Sequence, residues 1–267
     1  MKYKKKKHQP INGLELLVNK LKKSSIEYNA FLEHLSNVET NFFENPELEF
    51  ELLISNGLPL GMNEHNEVFL KTVKTHILEQ TFCVVDIETN GSNIHHGQII
   101  ELGAVKFRNG QIIETYDSLV YAKDIPQYIQ EVTQITPKML EDAPRLKTVL
   151  EEFKLFLEDD VFVAHDIKFD YKFISDSFEK YDLGKLQNRK LCTIDLSKRT
   201  IFAQRYGLDF LKELLDIDIH QQHRALNDAL STTHILEKCL QNLPQEVQSA
   251  EDLIVFSKSD NVLVNKQ

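Results

Sequence analysis

Cysteine is scarce in this 267-residue chain, as are glycine, proline and long apolar runs. The three cysteines, Cys83, Cys192 and Cys239, are odd in number and far apart, with no C-x-x-C pair. That spacing excludes a zinc knuckle and a disulfide framework, and it fits a reducing compartment, so a cytoplasmic location is expected. Nine glycines and seven prolines are too few for a collagen-like or low-complexity chain. No apolar stretch approaches the roughly 18 residues of a membrane-spanning helix. The start, MKYKKKKHQP, is basic but has no signal-peptide core behind it, so no secretion is expected. A formal net charge of −10 argues against coating nucleic acid by bulk electrostatics; it is compatible with an acidic site that holds metal ions. Five lysines among the first eight residues read as a solvated basic tail, residues 1–9.

Residues 10–72 read as a small, mostly helical module. Leu14, Leu17, Val18 and Leu21 recur at helical spacing. Ser24 and Glu27 form a capping-box pattern ahead of the stripe Tyr28, Phe31, Leu32 and Leu35. Asn45-Pro46 predicts a capped helix that stops near Gly57, although Leu48, Phe50, Leu52 and Ile54 also alternate as a strand would. Extended pieces at 58–60 and 67–71 then pair as a hairpin. Helix, helix, helix, hairpin is the order of a winged helix. Residues 73–80 read as a linker and 81–243 as a second domain, with 244–267 as an extension. The second domain opens with a strand at 81–87. Strands at 97–107 and 111–121 follow, joined by the hairpin signal Asn109-Gly110. Strand–helix alternation then gives a strand at 161–164, a helix at 167–180, a strand at 190–192 and helices near 194–204, 208–215 and 224–241. The expected fold class is α/β, a mixed sheet with flanking helices.

Four carboxylates and one histidine carry the chemistry. Asp86 and Glu88, two apart at the end of a strand, point to one face. They repel unless a cation sits between them, or they are simply solvated. Asp170 lies one turn into the helix after strand 161–164, with Asp166 placed to cap that helix; a lone Asp there is usually dipole-favoured or solvated. His223 and Asp228 would stand about 140° apart on one ideal helix. They converge only if His223 sits in the preceding loop, and otherwise both are surface residues. Together, Asp86, Glu88, Asp170 and Asp228 make an oxygen-rich set suited to Mg²⁺ or Mn²⁺. Two such ions can serve in-line attack on a phosphodiester, with His223 as the natural general base.

The motifs DIETNG at 86–91, AHDIKFDYKF at 164–173 and HRALNDA at 223–229 resemble those of the DEDDh exonucleases, especially the proofreading (epsilon) type of bacterial DNA polymerase III. The resemblance covers about 81–241. It implies an RNase H-like fold and a metal-dependent 3′→5′ exonuclease that releases nucleoside monophosphates. By the same resemblance, Asp86, Glu88, Asp170 and Asp228 match metal ligands for two Mg²⁺ or Mn²⁺ ions, and His223 matches the general base. Thr89 and His165 are the expected substrate contacts. VTQITPKML at 132–140 is similar to a segment near the substrate, with Gln134 in place of the usual glycine. Asp166 replaces the usual asparagine.

The implied partners are a DNA 3′ end, single-stranded or mispaired, and the catalytic subunit of the polymerase. A sliding clamp could be met through Asp252-Leu253-Ile254-Val255-Phe256, which also reads as a helix capped by Ser249. Two other readings stand beside this one: an RNA 3′-end trimmer of the RNase T or oligoribonuclease type, and a non-catalytic binding module on the same fold. The complete set of mutually repelling carboxylates argues against the last.

Overall fold

The computed structural model describes residues 13–38, 45–219 and 223–263; the expected basic tail lies outside them. The N-terminal unit runs α1 (Gly13–Leu21), β1 (Ile26–Glu27), α2 (Tyr28–Ser36), α3 (Pro46–Ser55), β2 (Leu60–Met62), β3 (Glu67–Leu70) and α4 (Lys71–Lys74). Asn45 caps α3 as its sequence signals, accepting from the amides of Glu47 and Leu48. The Ser24–Glu27 capping box does not form. Glu27 is itself the cap of α2, accepting from the amide of Ala30 at 2.9 Å. Freed from the helix, Ile26 and Glu27 pair with Val68 and Glu67, giving a three-stranded sheet ordered β1-β3-β2 instead of a bare hairpin. Phe31, Leu35, Phe50, Val68 and Leu70 fill its core.

The larger sheet is built from β4 (Phe82–Thr89), β5 (Ile99–Arg108), β6 (Gln111–Leu119), β7 (Val161–Ala164) and β8 (Lys190–Cys192), in the order β6-β5-β4-β7-β8. Asn109 and Gly110 both take positive φ, 51° and 71°, and turn β5 directly into β6. β4, β5 and β6 are antiparallel, while β7 and β8 run parallel to β4. The flanking helices are α5 (Gln127–Thr133), α6 (Pro137–Leu140), α7 (Leu146–Leu157), α8 (Ile167–Lys180), α9 (Thr193–Thr200), α10 (Leu208–Leu214), α11 (Ala225–Gln241) and α12 (Ala250–Phe256). β4 shows the two-residue period at work. Cys83, Val85 and Ile87 pack toward α7 and α8, and Phe82 and Val84 toward α11. Asp86 and Glu88 continue the second face.

The segment 73–80 is no loose connection. Ile77 is buried and donates its amide to Gln248, and His76 bridges to Ser249. Ser249 and Asp252 form a reciprocal capping box on α12. Leu253 and Ile254 point into the core, so the stretch expected as a clamp contact is a docked helix with its central apolar residues covered. The N-terminal unit meets the strands where they begin. Gly57 packs on Asn188 and Gly184 on Asn56, each so closely that a Cβ would lie 2.2 and 2.3 Å from the facing amide oxygen. Asn56 also accepts at its carbonyl from the Gln187 amide at 2.8 Å. Glu251 of α12 ties the parts together: it takes two hydrogen bonds from Arg189 and one from the Thr72 hydroxyl at 2.9 Å.

Candidate active site

The register between β4 and β5 sets the floor of the site. Asp86 stands opposite Gly103, and Glu88 opposite Glu101. Gly103 is required by close approach. A Cβ there would come within 2.2 Å of the Leu226 backbone nitrogen, so a side chain would push α11 off the sheet. Glu101 is fully buried. It receives Arg224 Nε at 2.9 Å and Nη2 at 2.6 Å, and the Ala225 amide at 2.9 Å. This pair clamps the start of α11 over β5.

The clamp delivers the last two candidate residues. His223 lies outside α11 with a left-handed backbone, φ 58°. Its amide donates to Asp228 Oδ2 at 3.0 Å, which turns the chain back on itself and cancels the 140° separation of a continuous helix. One ligand atom each of Glu88, His223 and Asp228 then lies within 4.8 Å of the others. His223 is exposed, while Asp228 is 6% exposed. Asp170 reaches the cluster from the first turn of α8, where its charge acts on Asp86 and Glu88.

The electrostatics are those of crowded like charges. Burial, followed by the charges of Asp170, Asp228, Glu88 and Glu101, holds Asp86 well above the usual carboxylate range. Glu88 is pushed up to about 8, by burial first and then by Asp228, Glu101 and Asp170. Burial also raises Asp170, to about 7, against the pull of the nearby Asp170 and Ile87 backbone amides. Asp228 is raised by burial too, and its Oδ1 is buried with no hydrogen-bond partner. Carboxylates held this way ionise together only with positive charge among them. The oxygen-rich donor set and the orphaned Oδ1 fit a divalent cation.

The other expected contacts behave differently. His165 Nε2 meets the Tyr206 carbonyl at 2.9 Å and Nδ1 meets the Thr193 hydroxyl at 2.9 Å. Both nitrogens are thus engaged within the protein, and burial lowers the ring's pKa, which favours a neutral imidazole that donates from Nε2. The two bonds tie the chain just after β7 to Thr193 of α9 and to Tyr206. Thr89 donates its hydroxyl to the Gly91 carbonyl at 2.9 Å, shaping the loop beyond Glu88. Asp166 does not cap α8. Its φ of 66° and ψ of 58° depart from the extended backbone of a side-chain N-cap, and no cap bond forms. Gln134 adopts φ 59°, the conformation a glycine would take there, and closes α5 through its amide. Sequence reasoning missed Glu101 and Arg224. The available signal was a glutamate inside the apolar run Ile99–Phe107 and an arginine beside His223.

A mixed five-stranded sheet flanked by helices, with acids gathered at the end of its central strand, is an RNase H-like fold. The exonuclease family model of the RNase T type matches residues 83–236, and the chain belongs to that family. It is 34% identical over 197 residues, 73% of its length, to the DNA polymerase III PolC-type proteins of Staphylococcus haemolyticus and Staphylococcus aureus. Those residues are 13% of the relatives' length, so the chain spans a small part of them. Among solved structures, it is similar to exonuclease X in complex with 5′ overhanging duplex DNA, with TM-score 0.53 and 22% identity, covering 66% of this chain and 99% of that one. Escherichia coli exonuclease I bound to a dT13 oligonucleotide has TM-score 0.55 and 15% identity, over 62% of this chain and 42% of that one. These two share the fold.

Proposed function

We propose that this chain is a metal-dependent 3′→5′ exonuclease acting on DNA, working as a proofreader beside a replicative polymerase. The observation that carries the reading is the convergence of Glu88, His223 and Asp228 within 4.8 Å at the strand end that also holds Asp86. In this reading Asp86, Glu88, Asp170 and Asp228 hold Mg²⁺ or Mn²⁺ ions, two of them as in other carboxylate nucleases. Such ions, when bound, supply positive charge for the attacking and leaving oxygens of an in-line displacement.

The chain's own residues do the rest. Glu101 and Arg224 hold the α11 start so that His223 projects over the carboxylates. His223, exposed at the rim, takes a proton from the attacking water. The water oxygen bonds to phosphorus as the P–O3′ bond breaks, giving a nucleoside 5′-monophosphate and a shortened chain with a 3′-hydroxyl. The PolC-type relatives support the polymerase setting, and a cytoplasmic location goes with it. No helix among the described residues is long and apolar enough to cross a membrane. The N-terminal unit is read as winged-helix-like, from its helix, strand, helix, helix, hairpin order. Its α3 exposes Glu47 and Glu51 and carries no lysine or arginine, so this helix suits a protein partner better than DNA phosphates. A sliding-clamp contact through 252–256 is not part of the proposal, because Leu253 and Ile254 are covered.

The test is degradation of 5′-labelled single-stranded DNA, mispaired primer–template, matched duplex and single-stranded RNA with Mg²⁺, with Asp228→Ala as control. Proofreading requires single-stranded and mispaired DNA to be shortened faster than matched duplex. Faster loss of RNA would instead place the chain in RNA trimming, and no cleavage above the control would return it to the binding modules.

A further inference from the structure

α10 carries a lysine that its surroundings do not satisfy. Lys212 is 6% exposed, and its Nζ is buried with no hydrogen-bond partner among the described residues. Its neighbour Leu211 already fills the core, so packing alone does not call for a cation at 212. An ammonium in that state costs folding energy that methionine or leucine would not. The charge lies close to the carboxylate cluster. α10 packs against α11, and the Lys212 charge pulls on the Asp228 carboxyl, as that of His223 does. Asp228 Oδ1 is likewise buried without a partner, so the two orphaned atoms of opposite sign are not bonded to each other.

We propose that Lys212 is a positioning residue for hydrolysis: a fixed positive charge behind Asp228 that offsets the carboxylate cluster and draws the phosphates of the nucleic-acid end toward it. The inference rests on the site reading above. A lysine bonded directly to Asp228 would occupy the oxygen that the cluster needs for a cation. Held off, it contributes its field and leaves that oxygen free. The field acts with opposite signs on the two species that must assemble there, opposing the metal cation and favouring the anionic substrate. A divalent ion feels twice the effect that a unit charge does.

The test compares the full chain with Lys212→Met, which keeps the volume and removes the charge, and with Lys212→Arg. Mn²⁺ binding is read by electron paramagnetic resonance. Binding of a 5′-fluorescein oligothymidylate is read by anisotropy in saturating Ca²⁺, and stability by thermal melting. The expected result for Lys212→Met is Mn²⁺ bound at least about threefold more tightly and DNA at least about threefold more weakly. Its melting temperature is expected to be unchanged or raised, and Lys212→Arg should restore DNA binding. A structural strut would instead lose metal, DNA and stability together, and that result overturns the proposal. Unchanged binding of both ligands, with wild type binding Mn²⁺ normally, overturns it while leaving the site reading intact. Wild-type protein that binds no Mn²⁺ overturns both.

Discussion

Where β4, β7 and β8 begin, Lys106 is shared by Glu158 at 2.7 Å and Asp160 at 3.2 Å, Arg189 grips Glu251, and Lys71 meets Asp159 at 2.5 Å. About 20 Å away, six residues along β4 at roughly 3.3 Å each, the same sheet ends in four carboxylates that crowd one another without a direct ion pair among the described residues. The first end is arranged as a joint, with opposite charges in contact and the N-terminal unit docked on it. The second is arranged as a site, with like charges held together by the fold against their repulsion. Breaking a pair in the joint should therefore unfold or loosen the protein. Removing an acid from the site should stabilise it and abolish its chemistry.

The largest effect expected is on activity. Asp86→Asn or Asp228→Asn should lower the single-turnover rate at least about a thousandfold, because several kcal/mol of charge stabilisation is lost. The metal-free melting temperature should hold or rise. A variant that melts earlier and keeps its rate would reverse the contrast between the two ends. His223→Ala should cost roughly 10²- to 10⁴-fold in rate while leaving Mn²⁺ binding in place, as loss of a general base does; an unchanged rate would remove His223 from that role.

Stability effects come next. Arg224→Ala leaves Glu101 buried without its countercharge, with only the Ala225 amide as partner, which should cost about 3 kcal/mol by denaturant unfolding. It should also lower kcat, because the α11 start loses its clamp. Gly57→Ala, at φ 90° and against Asn188, should cost roughly 1–3 kcal/mol and act at the joint, with the rate per folded molecule unchanged.

The smallest effect is a pH dependence whose sign differs between the site acids and Glu251, while Asp160 at the joint, pushed up to about 7 by burial, titrates in the same sense as the site acids. The raised site carboxylates, Glu88 at about 8 among them, bind protons in the folded state that the unfolded chain does not. Metal-free stability should rise as pH falls from above 8 toward the ordinary carboxylate range. Glu251 is the reverse case. Its hydrogen bonds and ion pair with Arg189 outweigh burial and hold it below its ordinary value of 4.5. Its contribution is present above 4.5 and is lost as pH falls through its folded value. A melting-temperature profile with a maximum between these ranges is expected, and a divalent cation should flatten its alkaline limb. A profile that declines steadily from pH 8 to 5 would show that the site acids are not strained.

Much of this was legible before any fold was known, and for local reasons. The Asn-Gly turn between β5 and β6, the Asn45-Pro46 cap, the Ser249–Asp252 capping box and the strand–helix alternation each depend on residues a few positions apart. The five candidate site residues were legible because each stands at a punctuated element end, in motifs of specific order. The Ser24–Glu27 cap misled because Ile26 and Glu27 found a better partner in β3, 40 residues away, and Asp166 misled because its backbone turns left-handed.

What the sequence by itself determined, then, is the list of elements and the chemical groups at their ends, since helix periodicity, turn chemistry and caps are local interactions. Tertiary structure alone decided that Glu101 and Arg224, 123 positions apart, lock α11 over Gly103, and that His223 folds back onto Asp228. It also decided that Lys22 just past α1, Thr72 of α4 and Arg189 just before β8 meet on one buried glutamate of α12, Glu251. Each of these is a contact between distant segments. The physical reason is that an ionisable group's partner is fixed by packing and burial, which no spacing along the chain records.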